Sequence, residues 1–290
     1  MIVCSLQNGE IHVYDMQSQE LLSNLEGIHD CYYYAQLSIS RQCIVGVTIS
    51  GEIFIWERND FKLVHKDDHS HIVGINGVKI VGKTLVTGDS NGLTNVFNIS
   101  HENVTKVCKK QFESSISHID FDGTFVLVGS SSSLILLSLH DFETLKEIKH
   151  IETGFVHVCI LSFPFAVTTD LEPGAKIWDL RTGNLSRTIL KSCSFFKMDL
   201  NNGILALSQY SSHLDTCQTF LVDMISIENG DDDIKVKKFE DRLITNQTEE
   251  ITCVRKYVDI AIACENNNFY YFPSQFSILT TFSAVCLILI

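Results

Sequence analysis

The sequence predicts an all-β fold, a seven-bladed β-propeller with four-stranded antiparallel blades. A turn followed by an alternating apolar strand recurs along the 290 residues. The copies lie about 40 to 45 residues apart, the usual length of a four-stranded propeller blade. Segments with helical periodicity and capping residues are almost missing, so strands are expected to form nearly the whole chain.

The best-preserved copy of the repeat is GAKIWD at 174–179, and a similar segment, SGEIFIWE, stands at 50–57. The position of the aromatic residue in the seven copies is Tyr14, Trp56, Phe97, Ser138, Trp178, Val222 and Phe272. Consecutive copies are 42, 41, 41, 40, 44 and 50 residues apart. The sixth copy is stretched by a charge-rich segment, 227–242, which reads as an exposed loop.

One domain is predicted over 1–290. The expected blades are 1–27, 28–68, 69–110, 111–150, 151–191, 192–245 and 246–290. MIVCSL at 1–6 reads as a second strand, so blade one lacks its first. The apolar run 283–290 is expected to supply it and to close the ring. The alternative for the uncharged tail, 276–290, is a membrane anchor, although fifteen residues fall short of the roughly 20 that span a bilayer as a helix.

The repeat resembles the WD-repeat (WD40) family, in which a histidine, a Ser or Thr, a turn Asp and a Trp form a structural tetrad in each blade. The residues matched to this layout are His150, Thr168, Glu172 and Trp178 in blade five, and His69, Thr87, Asn91 and Phe97 in blade three. The offsets from the histidine are 18, 22 and 28 in both. Glu172 and Asn91 depart from the family aspartate.

Composition argues against several functions. The net charge of -13 opposes the phosphate backbone of nucleic acid and the anionic surface of a membrane. None of the ten cysteines forms a CxxC pair, and NGDDD at 229–233 lacks the glycine and glutamate of a calcium loop. DDHSH at 67–71 looks like a metal cluster, with two histidines and two aspartates, but the tetrad role of His69 is favoured over metal binding. GSSSS at 129–133 lacks the context of a phosphate loop or a nucleophile elbow. No metal, cofactor, small-molecule substrate or catalytic residue is therefore expected.

The resemblance implies a non-catalytic scaffold or adaptor that binds peptides of partner proteins within a multiprotein complex. The residues expected to line its upper, partner-binding face are Gln7, Ile49, Ser90, Ser131, Leu171 and Glu265. None of them is basic, and the chain has six arginines, so an apolar or partly basic peptide fits better than a phosphorylated one. The first strands are expected to present small or apolar residues to the central channel.

Two other functions stay open at this level. One is the substrate receptor of an F-box ubiquitin ligase, which requires a helical domain upstream of this chain. The other is an enzyme with titratable residues that converge in the channel. The absence of a signal sequence and the scattered free cysteines favour the cytoplasm or the nucleus.

Overall fold

The computed structural model describes residues 1–5, 10–15, 18, 20–25, 36–100, 103–131, 133–149, 156, 158–193, 197–201, 203–211, 216–224, 227, 236–242, 254–257, 260–265, 268–272, 279–281 and 286–289. These residues contain 28 strands, which pair into seven four-stranded antiparallel sheets. The all-β class and the repeated four-stranded unit are thus confirmed. Across these ranges, no helix has the length and hydropathy needed to cross a membrane.

The chain divides into two compact units, Met1–Asn24 with Phe195–Ile290, and Leu25–Ser194. We call them the terminal unit and the central unit and describe each by itself. Strands are numbered in chain order.

The central unit contains four sheets, each formed by four consecutive strands. The first contains β4 (Gln36–Ile39), β5 (Cys43–Val47), β6 (Ile53–Glu57) and β7 (Leu63–Asp67). The second contains β8 (Ile75–Val81), β9 (Thr84–Asp89), β10 (Leu93–Ile99) and β11 (Val104–Gln111). The third contains β12 (Ile116–Phe121), β13 (Phe125–Ser130), β14 (Ser133–Ser138) and β15 (Thr144–Lys149). The fourth contains β16 (Val158–Ser162), β17 (Phe165–Thr169), β18 (Ala175–Asp179) and β19 (Asn184–Ile189).

The terminal unit contains the other three sheets. One contains β1 (Ile2–Ser5), β2 (Ile11–Tyr14), β3 (Leu21–Leu25) and β28 (Cys286–Leu289). Another contains β20 (Lys197–Asn201), β21 (Ile204–Ser211), β22 (Thr216–Asp223) and β23 (Val236–Arg242). The last contains β24 (Val254–Tyr257), β25 (Ile260–Glu265), β26 (Asn268–Phe272) and β27 (Leu279–Thr281).

The C-terminal strand makes the pairing expected of the apolar run 283–290. β28 pairs antiparallel with β1, with Ile2 opposite Leu289 and Ser5 opposite Cys286. The order of this sheet is β28-β1-β2-β3, so MIVCSL supplies the second strand. The expectation for 227–242 needs a correction, because its last seven residues form β23, which pairs with β22 and is the fourth strand of its sheet. The charged residues of VKKFEDR suit a strand at the edge of a sheet, where charge opposes pairing with other chains.

Apolar clusters hold consecutive sheets of the central unit together. Val45 and Ile55 of the first sheet pack with Val78 and Leu85 of the second. Similar clusters join the second sheet to the third and the third to the fourth. The middle strands lie between two such clusters and are buried on both faces, which explains why LILL at 134–137 is a continuous apolar run.

A β-bulge recurs at one place in all four central sheets, where the third strand meets the fourth. The pairing register shifts immediately before Trp56, Phe97, Leu137 and Trp178. These residues are 41, 40 and 41 positions apart. In the third sheet the equivalent of the aromatic residue is therefore Leu137, which is fully buried, and not Ser138, as the sequence pattern suggested. The extra residue of each bulge lies in the fourth strand, so the bulge marks the equivalent position without displacing it. A spacing that varies by one residue between copies cannot choose between Leu137 and Ser138.

Candidate functional site

A side-chain oxygen caps the turn between the second and third strands of each central sheet. Asp89 Oδ1 accepts hydrogen bonds from the amides of Asn91 and Leu93, both at 2.9 Å. Asp170 Oδ1 accepts one from Glu172 at 2.8 Å. The capping residues of the four sheets are Thr48, Asp89, Ser130 and Asp170. Each turn is thus fixed by its own sheet, and its exposed residues are held in place.

A buried polar network connects the loop before β8 to the end of β9. His71 Nδ1 lies 2.7 Å from Asp89 Oδ2, and His71 Nε2 lies 2.8 Å from Thr87 Oγ1. Asn95 Nδ2 lies 3.0 Å from His71 Nε2 and also donates to the Ser70 carbonyl at 3.0 Å. Because a carboxylate only accepts, Nδ1 carries the proton that His71 donates to Asp89, and Nε2 of the neutral ring accepts.

Burial lowers the pKa of His71 below its ordinary value, and the hydrogen bond and charge of Asp89 oppose that shift without cancelling it. The ring is therefore neutral at pH 7. This protonation state matches the donor and acceptor roles just described.

The tetrad expected in the second sheet needs two corrections. His69 lies outside the network: its side chain is 92% exposed, and its Nε2 atom pairs with Asp68 at 2.9 Å. Asp67 Oδ1 accepts from the amides of His69 and Ser70, which turns the chain so that His71 enters the sheet. Asn91 is also exposed, since the cap stands two residues earlier, at the end of β9.

The other two members of that tetrad are buried, Thr87 inside the network and Phe97 in the apolar core. The sequence did contain a signal for the correct histidine and turn residue, His71 and Asp89. Asp89 has the residue type of the family turn position, so no departure from the pattern had to be assumed. DDHSH contains two histidines two residues apart, and the pattern alone favoured the wrong one.

The fourth sheet keeps part of the expected tetrad. Trp178 Nε1 donates to Thr168 Oγ1 at 2.9 Å, as a structural role requires. The cap is Asp170 rather than Glu172, for the same reason as in the second sheet. Glu172 and Asp170 both accept from Lys176 Nζ, at 2.6 and 2.7 Å. His150 lies outside the described residues.

The positions expected on the upper face follow the capping residues directly instead of preceding them. Ile49 and Leu171 are 51% and 68% exposed, Ser90 is exposed, and Ser131 is half-buried. Gln7 and the side chain of Glu265 lie outside the described part of the chain. Ile72, which sequence reasoning missed, is 85% exposed beside the buried His71.

The segments carrying Ile49 and Ile72 are in direct backbone contact. A Cβ atom on Gly74 would lie 2.8 Å from the Ile49 carbonyl oxygen, and one on Gly51 would lie 2.8 Å from the Val73 oxygen. Gly51 also has φ of +92°, which favours glycine. Two exposed isoleucines thus stand on adjacent, rigid turns of the central unit, and we call them the isoleucine pair.

The first strands of the central unit carry polar groups among their apolar residues. Asp120 Oδ1 of β12 lies 2.6 Å from Lys79 Nζ of β8, and Asp120 Oδ2 accepts from the Leu161 amide of β16 at 2.8 Å. Burial raises the pKa of Asp120, but Lys79 and the Leu161 amide outweigh it, so the net pKa is lowered. One carboxylate thereby joins three consecutive sheets.

Cys159 lies in the same region, with its Sγ atom 3.8 Å from His118 Nδ1. Burial, and then the charge of Asp120, raise the pKa of the thiol well above its ordinary range. A buried neutral thiol is a poor nucleophile, since the thiolate is the reactive form. Within the described ranges, no group of three or more His, Cys, Asp or Glu side chains is arranged to hold a metal ion.

The fold is similar to those of two solved structures. The crystal structure of the computationally designed Ika8 protein matches with a TM-score of 0.68 and 15% identity, over 93% of this chain and 80% of that chain. A chain in the crystal structure of the Mitotic Checkpoint Complex matches with a TM-score of 0.74 and 10% identity, over 94% and 83%. No protein-family model and no curated protein matches the sequence. At these identities the similarity concerns the fold alone, which is all-β and consistent with a β-propeller.

Proposed function

We propose that this protein is a non-catalytic interaction scaffold of the WD-repeat type, a closed ring of seven blades that holds partner proteins in a multiprotein complex. The observation that carries the proposal is the isoleucine pair, Ile49 and Ile72, exposed on turns fixed by backbone contact. Rigid display of apolar side chains lowers the entropic cost of binding. The similarity to a chain of a multiprotein complex is in line with this role.

The chemistry of the surface favours an apolar or partly basic peptide as the ligand. Asp67 and Asp68 precede Ile72 closely in the chain, and the Asp68 side chain is exposed. Ser90 and Ser131 offer hydroxyl groups but no positive charge. Recognition of a phosphate depends on converging arginines, which these turn positions lack.

The proposal assigns no catalytic role to the polar groups of the first strands. Asp120 is engaged by Lys79 and the Leu161 amide, and the Cys159 thiol is buried and neutral. The free cysteines Cys43, Cys108, Cys159 and Cys193 suit a reducing compartment, and we propose the cytoplasm or the nucleus.

Affinity capture with crosslinking tests the proposal on three forms of the chain. The control variant Val64→Asp changes an exposed apolar residue of β7 and should return the same crosslinked partners as the wild type. The double variant Ile49→Asp, Ile72→Asp should lose them, because a charge in an apolar contact costs binding energy. Capture that is unchanged in the double variant would sink the proposal.

A further inference from the structure

Phe163 exposes its ring in the turn between β16 and β17. The residue is 47% exposed, and no other phenylalanine whose side chain the structure describes is exposed. Its ring stacks on that of Phe125, at the start of β13, with 4.7 Å between the centroids and 23° between the planes. Phe125 in turn packs against the apolar cluster between the third and fourth sheets. Because Phe125 covers one face of the Phe163 ring, the other face is the one that solvent reaches.

An exposed carboxylate is fixed next to the stacked rings. Asp122 Oδ1 accepts hydrogen bonds from the amides of Thr124 and Phe125, at 2.7 and 2.8 Å. The other oxygen, Oδ2, takes part in no hydrogen bond or ion pair within the described ranges. The Asp122 side chain is therefore held by the backbone of Phe125 and keeps one oxygen for a ligand.

Asp122 and Phe163 lie at the same end of the central unit, on neighbouring strands. Two hydrogen bonds show that the segments of β12 and β16 run side by side in one direction, and the second joins Asp120 to the Leu161 amide. Asp122 and Phe163 each stand two residues further along the chain. This end is opposite to that of the isoleucine pair, because successive turns of an antiparallel sheet lie at alternate ends.

The chain shows close by how an aromatic ring and a carboxylate together hold a cation. Arg181 Cζ lies 5.8 Å from the centroid of Phe165, two residues after Phe163. The same guanidinium donates to Asp179, from Nε to Oδ1 at 3.0 Å and from Nη2 to Oδ2 at 2.9 Å. Phe163 and Asp122 offer the same two kinds of contact, and the described part of the chain places no cation over Phe163.

The charges at this end of the third and fourth sheets favour a cation. The lysine, arginine, aspartate and glutamate residues of the four connections there are Asp122, Asp141, Glu143 and Arg181. Arg181 is paired with Asp179, and Lys146, which also reaches this end, donates to the Thr182 carbonyl at 3.2 Å. The acidic groups thus outnumber the basic ones. A guanidinium suits the site better than an ammonium, because it is planar and can stack on a ring while it pairs with a carboxylate.

We propose that Phe163 and Asp122 bind an arginine side chain of a partner protein, with the guanidinium stacked on the open face of the Phe163 ring and paired with Asp122 Oδ2. The inference rests on the proposed function in taking a protein as the partner. Its site lies at the other end of the sheets from the isoleucine pair, so the central unit has a contact for a partner at each end.

Nuclear magnetic resonance of the full chain, labelled with ¹³C in its phenylalanine rings, tests the proposal. The Phe163 resonance is the one lost in Phe163→Tyr, which keeps an aromatic ring in the turn. The probe is N-acetyl-arginine amide, which presents the side chain as a peptide does. We expect it to shift the Phe163 resonance saturably in the millimolar range, since the ligand is small. The citrulline counterpart, planar but uncharged, should bind about fivefold more weakly.

The carboxylate is tested with two variants of equal charge. Asp122→Asn keeps an oxygen that caps the turn and removes the charge, so it should weaken arginine binding about threefold, as expected for an exposed ion pair. The matched control, Glu147→Gln, changes an exposed carboxylate of β15 and should bind like the wild type. The double variant Ile49→Asp, Ile72→Asp should also titrate normally, so failure here and failure of the proposed function are distinguishable.

Five outcomes would overturn the proposal. A Phe163 resonance that the arginine probe does not move shows that the ring is no binding site. Equal binding of the citrulline probe means that charge has no part, and tighter binding of N-acetyl-leucine amide means that the ring takes an apolar group. Equal weakening by Glu147→Gln means attraction to the whole acidic surface. Tighter binding of free arginine than of the amide indicates a site for the amino acid itself instead of a protein.

Discussion

The imidazole of His71 and the carboxylate of Asp89 are 2.7 Å apart and fully buried, with side-chain exposures of 0% and 1%. The same carboxylate uses its other oxygen to cap the turn after β9. One side chain thus fixes both the loop that carries Ile72 and the turn that carries Ser90. The surface of the central unit is shaped by a pair that no ligand can reach.

Removing the imidazole should destabilise the chain. We expect His71→Ala to lower the free energy of unfolding by about 1–3 kcal/mol, because Asp89, Thr87 and Asn95 lose a buried partner. His69→Ala, which changes an exposed histidine two residues away, should stay within about 0.5 kcal/mol of the wild type. Urea denaturation measures both. Equal effects of the two substitutions would contradict the assignment.

The lowered pKa of His71 predicts a pH dependence of stability. The unfolded chain, with a histidine pKa near 6.5, binds the proton more readily than the folded chain. The stabilisation is therefore present above pH 6.5 and is lost as the pH falls through the lower folded-state value. The thermal midpoint of the wild type should fall more between about pH 7.5 and about pH 5.5 than that of His71→Gln. His69→Gln should follow the wild type, and a parallel decline of all three would argue against His71 as the titrating group.

Loss of the Asp120 carboxylate, which joins three sheets, should lower the free energy of unfolding. Asp120→Ala leaves the Lys79 ammonium and the Leu161 amide without their partner, and we expect a loss of about 3 kcal/mol in unfolding free energy. The double variant Asp120→Leu, Lys79→Met should recover part of it, since no uncompensated charge remains. Chemical denaturation gives both values. If Asp120→Ala is as stable as the exposed-site control Asp68→Ala, the Asp120 carboxylate does not hold the three sheets together.

Deletion of residues 286–290 removes β28 and makes β1 the terminal strand of its sheet. We expect the thermal midpoint to fall by more than about 5 °C, and self-association to increase as backbone groups of β1 become unpaired. Removal of residue 290 alone, which follows β28, should change neither. Calorimetry and light scattering report the two effects, and an unchanged midpoint after the longer deletion would rule out closure by this strand.

The spacing of the repeat was enough to predict the all-β class and the four-stranded unit, and the missing first strand of blade one was enough to predict the pairing of the C-terminal strand. It was not enough for the network around His71. The pattern placed the turn residue four positions after the threonine and so selected Asn91 and Glu172, whereas the capping aspartates, Asp89 and Asp170, stand two positions after it. The same fixed offsets selected His69 instead of His71. The choice of Ser138 over Leu137 was an error of one residue, which copies spaced 40 to 44 residues apart cannot resolve.

The isoleucine pair lay beyond sequence reasoning for a different cause. Ile72 follows a buried histidine in a short loop, and its exposure depends on how that loop packs against the turn of the preceding sheet. Contacts between neighbouring sheets produce no repeated pattern in the sequence, so they cannot be predicted from the repeat.

The residues that cap the turns differ from the residues that the turns expose, so the stability of a turn does not depend on its exposed side chain. Thr48, Asp89, Ser130 and Asp170 hold the turns, so the residues that follow them are free to vary. A lineage could exchange Ile49 or Leu171 for another residue at little cost to folding. New exposed side chains could thus be acquired one turn at a time, with the paired strands of each sheet left intact.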